Sequence, residues 1–148
     1  MRHVAAATAP QRPLAYIAVD DASCRSQLTD ALQHLGWMVI EQPSGFHLLR
    51  AISDLIDGEP GMPPGLIVID AISRGCSGVT VARGLRDLGS TIPVVLVRDA
   101  WTPRHESETS STYVVDRSRA ANAIVELVRP WSPISLAQPS PSRARATA

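Results

Sequence analysis

Four apolar residues in a row, Leu66-Ile67-Val68-Ile69, run straight into a carboxylate, Asp70. A short run with no polar alternation suits a strand buried on both faces. Such a strand belongs to a parallel sheet with helices covering each side. The neighbouring segments supply both parts. Residues 14–19 are another apolar run, ending at Asp20-Asp21. From Ser23 onward, Cys24, Leu28, Ala31, Leu32 and Leu35 recur at helical spacing, and Gly36 can stop that helix. Residues 37–41 read as a second strand. Ser44 caps a helix carrying Leu48, Leu49, Ile52, Leu55 and Ile56. The stretch GEPGMPPG, residues 58–65, is a connector.

The same rhythm continues past Asp70. A third helix carries Val81, Leu85 and Leu88 and stops at Gly89. Residues 92–97 form a fourth strand, with Pro93 near its start, and residues 113–115 a shorter fifth. Asp116 or Ser118 caps a last helix with Ala121, Ile124, Leu127 and Val128 inward, ended by Pro130. Alternating strands and helices predict an α/β fold, a doubly wound five-stranded parallel sheet. One unit breaks the pattern. Residues 99–112 offer only Ala100 and Trp101 as apolar residues before Pro103. They cannot bury an apolar stripe, so a loop or rudimentary turn is expected where a helix belongs.

The chain divides into a flexible N-terminal arm over residues 1–13, one domain over 14–131, and a Ser/Pro/Arg-rich tail or linker over 132–148. Its 148 residues suit one domain, and its formal net charge of zero gives no bulk attraction for nucleic acid. All 14 basic residues are arginines, so no ammonium side chain serves any site. Two cysteines, Cys24 and Cys76, have neither CxxC nor metal-ligand spacing, which suits a reducing cytoplasm. No apolar run reaches the roughly 20 residues that span a bilayer, and residues 1–12 lack the apolar core of a secretory signal.

Ligand sites in open parallel sheets lie at the carboxyl ends of the strands. Asp20, Asp21, Asp70, Arg98 and Asp116 all fall at that edge. Two carboxylates about 5 Å apart repel by about 3 kcal/mol at an effective dielectric near 20. A cluster with that cost holds a cation or shifts its own pKa values. Divalent ions such as Mg²⁺ favour oxygen ligands of this kind.

The order of Asp20-Asp21, then Ser44-Gly45, then Asp70 with Gly78 eight residues on, then the proline-started strand IPVVLV, resembles the receiver domain of two-component response regulators. The likeness covers about 115 residues. It implies strand order 2-1-3-4-5 with the helix between strands four and five reduced or missing. It implies Asp70 as phosphoacceptor, and Mg²⁺ held by Asp20, Asp21, Asp70 and the backbone carbonyl of Ile72. A histidine kinase, a phosphotransfer protein or another signalling protein would be the partner, with a homodimer as an expected assembly and no direct contact to nucleic acid or membrane. The module would be a signalling protein of the bacterial cytoplasm, not an enzyme.

Four positions depart from the family. Arg98 stands where the family has a phosphoryl-binding Thr or Ser. Asp116 stands at the lysine, and Arg74 and Arg117 stand at two prolines. Tyr113 keeps the switch aromatic. Arg98 is therefore expected to lock Asp70 or Asp116 in a salt bridge, to replace the lysine toward a phosphoryl group, or to face solvent. Two functions follow: an atypical receiver phosphorylated at Asp70, or a pseudo-receiver that binds partners independently of phosphorylation. A flavodoxin-like cofactor binder or small phosphotransfer enzyme is a third reading. The carboxylates at residues 20 and 21, where a flavin phosphate loop belongs, and the missing lysine weigh against it.

Overall fold

The computed structural model describes residues 11–72, 76–99 and 111–132. Five parallel strands form the sheet: β1 (Leu14–Ala18), β2 (Met38–Glu41), β3 (Leu66–Asp70), β4 (Val94–Arg98) and β5 (Thr112–Asp116). Their order is β2-β1-β3-β4-β5, as expected. Four helices flank it: α1 (Ala22–His34), α2 (Gly45–Ile56), α3 (Gly78–Asp87) and α4 (Ala120–Val128). The expectation about residues 99–112 falls mostly on 100–110, outside the described residues. No described helix is long and apolar enough to cross a membrane.

The two-residue period of a strand sorts the core into two layers. Ala15, Ile17, Val19, Leu66, Val68, Val95 and Val97 face α1 and α4. Leu14, Tyr16, Ala18, Ile67, Ile69, Val94 and Leu96 face α2 and α3. β1 and β3 are buried along their whole length, which is why neither alternates in sequence.

Local chemistry sets the ends of the elements. Ser44 and Ser77 each cap a helix by accepting a backbone N–H three residues on. Gly36, beyond the end of α1, has φ +87°, a region open mainly to glycine. The expected cap of the last helix is absent. Asp116 leads into a 3₁₀ turn, Arg117–Arg119, without a side-chain cap, and α4 starts after it. Leu88 and Ile56, counted among the apolar residues of their helices, are exposed, because each lies at or past the last turn of its helix.

Ser132, expected in the tail, is buried. Its Oγ accepts from Trp37 Nε1 at 2.9 Å and donates to the Val128 carbonyl at 2.8 Å. This bond ties the end of α4 to the residue before β2.

Candidate functional site

Asp70 ends β3 on the side of the sheet that carries α1 and α4, since it continues the Leu66, Val68 row. It is 1% exposed. Both carboxylate oxygens are engaged. Oδ2 accepts from the Asp20 backbone N–H at 2.7 Å, and Oδ1 accepts from Arg117 Nη2 at 2.9 Å. Arg117 is held in turn by Asp99, whose Oδ1 accepts from Nε at 2.7 Å. The guanidinium thus bridges a buried carboxylate and an exposed one.

Burial pushes the Asp70 carboxyl above its ordinary range, and the Asp20 N–H and the Arg117 charge only partly oppose it. For Arg117, burial works against the charge, but the bond to Asp99 and the field of Asp70 outweigh it and raise the guanidinium further. Burial likewise pushes the Cys24 thiol up, against the nearby Arg117 charge. The site therefore contains a desolvated carboxylate that its partners neutralise incompletely.

Gly78 explains its own place in the sequence. A Cβ there would collide with the Asp70 carbonyl oxygen and lie 3.0 Å from Ile69 and Leu96 side-chain atoms. Only a residue without a side chain lets the start of α3 come this close to the end of β3.

Arg98 does not lock Asp70. Its Nε donates to Asp116 Oδ1 at 3.0 Å, so of the expected partners it takes Asp116. Strand alternation gives the reason. Arg98 follows Val94 and Leu96, and Asp116 follows Val114, all on the α2 and α3 side. Asp70 lies on the other side, which Arg98 cannot reach without crossing the sheet. Tyr113 is half-buried against the α1 and α4 layer.

Asp20 and Asp21 are both exposed. Asp21 caps α1, its Oδ1 accepting from the Cys24 backbone N–H at 2.7 Å. Arg25 secures this corner, donating from Nη1 to the Val19 carbonyl at 2.9 Å and the Asp20 carbonyl at 3.4 Å. Ile72, two residues past Asp70, is 65% exposed. Among the described residues, no group of three His, Cys, Asp or Glu side chains is placed to hold a metal ion. With Asp21 spent on a cap and a guanidinium on Asp70, this arrangement of Asp20, Asp21 and Asp70 does not fit the divalent cation expected from the sequence.

Solved structures of response-regulator receiver domains share this fold. The receiver domain of the Francisella response regulator 1452 aligns with a TM-score of 0.65 at 17% identity, over 80% of this chain and 95% of that one. This is the receiver fold. FixJ-N aligns at 0.63 and 20% identity, over 88% and 98% of the two chains. The Mn²⁺-bound form of response regulator Rcp1 aligns at 0.63 and 15% identity, over 86% and 99%. No protein-family model and no curated protein matches the chain.

On this receiver fold the decisive residues are ones the sequence reading passed over. The resemblance marks Arg117 only as a lost proline and does not single out Asp99. The signal was present. Tyr113, Val115 and Arg117 share one parity, and that parity faces the same side as Leu66, Val68 and Asp70. Counting by twos selects Arg117, one residue past the end of β5, as the cation for Asp70. Aligning the lysine position selects Asp116, which points to the other side.

Proposed function

We propose that this chain is a receiver-type module of bacterial two-component signalling that works as a protein-interaction domain independently of phosphorylation. It is not an enzyme, and its partner is another signalling protein. One observation carries the reading: Asp70 is buried, and both its oxygens are already taken, one by a guanidinium held in place by a second carboxylate. A nucleophile in this position would have to break an ion pair and expose itself before attacking a phosphodonor.

A second reading, a working phosphoacceptor, is favoured by the same arginine. A guanidinium beside Oδ1 would pair with phosphoryl oxygens as readily as with a carboxylate. Incubation with Mg²⁺ and a small acyl phosphate, read by intact mass, separates the two. The first reading expects no adduct. A labile phosphoryl adduct that disappears in Asp70→Asn would overturn it, establish the second, and point to a histidine kinase or phosphotransfer protein as donor.

A further inference from the structure

The site has the receiver's strand-end carboxylates but, among the described residues, presents no cation site, and the contacts on Asp70 say why. A divalent ion on Asp70 needs an open carboxylate oxygen. Here Oδ2 faces a backbone N–H and Oδ1 faces Arg117. Arg117 is not a loose surface side chain that could swing aside. Its Nε is anchored on Asp99, its Nη1 is buried, and the side chain lies mostly out of solvent. Two carboxylates share one guanidinium, so the group keeps a net negative charge, but the place beside Asp70 Oδ1 is already held by a cation. The second cation at this edge, Arg98, is committed to Asp116 on the opposite side of the sheet.

Resting on the pseudo-receiver reading above, we propose that the Arg117 guanidinium is the resident cation of this site and that Asp99 positions it, so that Asp70 becomes open to a divalent cation only when Arg117 is removed. Asp99 acts through Arg117 and is a positioning residue. Its own side chain is half exposed, so substituting it leaves the packed core alone.

The test is Mn²⁺ binding to the purified full chain, followed by the electron paramagnetic resonance signal of the free ion. The wild type leaves Mn²⁺ free of Asp70. Arg117→Gln removes a unit charge a few ångströms from the ion's place and binds Mn²⁺ at least about a hundredfold more tightly than wild type. Adding Asp70→Asn to that variant abolishes the gain, which separates the site from adventitious binding at exposed carboxylates. Asp99→Asn frees Arg117 without deleting it and gives a smaller gain. It carries the test by itself should Arg117→Gln not fold.

Mn²⁺ binding by the wild type that Asp70→Asn abolishes would overturn the proposal. So would an Arg117→Gln protein, or with that variant unfolded an Asp99→Asn protein, that binds no better than wild type. The phosphodonor assay fails or succeeds separately. A wild type that binds Mn²⁺ through Asp70 yet takes no phosphoryl group defeats this inference and leaves the functional reading standing. A metal-free phosphoryl adduct does the reverse.

Discussion

Arg86 and Arg117 serve opposite ends of the β4–β5 pair, and each buries part of its guanidinium. Arg86, on α3, donates to backbone carbonyls among the described residues. Nη1 reaches the Ser90 carbonyl at 2.5 Å, and Nη2 reaches the Ile92 and Ser111 carbonyls at 2.9 and 2.8 Å. It binds the end of α3, the approach to β4 and the approach to β5 into one knot where the strands begin. Arg117 donates to carboxylates, where the strands end. Among the described residues, Nε of Arg86 and Nη1 of Arg117 are buried with no oxygen or nitrogen acceptor in hydrogen-bond reach. The acceptors make the difference. Carbonyls do not titrate, so the Arg86 knot is a fixed brace. Carboxylates do, so the Arg117 end responds to protons and to competing ions.

The largest expected effect is at the brace. Arg86→Ala leaves three partly buried carbonyls without their charged donor and lowers unfolding free energy by about 3 kcal/mol. Arg86→Lys recovers less than half of this, because an ammonium is a compact point charge and lacks the planar fork that spans separate acceptors. Urea unfolding of both variants measures it. A lysine that restores full stability would break the comparison, since the fork would then be irrelevant.

The next effect belongs to the other end and differs in its dependence on pH. Arg117→Gln strands a buried carboxylate and costs about 2 kcal/mol at neutral pH, less than for a fully enclosed pair because Asp70 can take up a proton instead. Losing the guanidinium raises the Asp70 pKa further above its unfolded value. Below the unfolded value the carboxyl is protonated in both folded proteins, and the charge of Arg117 has little to act on. The penalty is therefore small in acid and grows as pH rises through the carboxylate range. The Arg86→Ala penalty stays flat across the same range. Unfolding at several pH values sharpens the contrast, and parallel curves for the two variants would remove it.

How much of this was legible beforehand differs between the same two ends. The sheet was read almost to the residue, because strands buried on both faces leave unbroken apolar runs, as in residues 66–69. Ser44 was found as a cap because its chemistry is local. Asp21 was read only as a metal residue, although an Asp just before a helical apolar pattern is itself a cap signal. Arg86 gave no sign. Its acceptors are carbonyls up to 25 residues away, and backbone acceptors leave no mark in a side-chain sequence. Arg117 was legible by parity but not by position along the strand, because the chain turns into a 3₁₀ helix at that residue. Swapping two neighbouring residues across a sheet moves a charge to the other face, and that is enough to convert a lysine-like position into a pair with Arg98.

The smallest expected effect tests what the Arg117–Asp70 pair is worth. In Asp70→Asn the side-chain oxygen still accepts the Asp20 N–H, and Arg117 keeps Asp99. One ionic hydrogen bond is lost, and one incompletely neutralised buried charge disappears with it. Because burial wins over the partners and holds the Asp70 carboxyl above its ordinary range, the folded wild type binds a proton more tightly than the unfolded chain does. The contribution of Asp70 is then most favourable in acid and declines as pH rises from the unfolded value through the raised one. Asn has no such term. The variant should match the wild type within about 1 kcal/mol at neutral pH, on the stabilised side, as replaced buried ion pairs often do. Its advantage should open between the two pKa values and stay level above them. Adding Arg86→Ala should leave that advantage unchanged within about 0.5 kcal/mol, since the two ends share no partner. An Asn variant that instead loses ground as pH rises would mean that Arg117 more than repays the burial of Asp70, and the strand-end pair would be a brace of the same kind as Arg86.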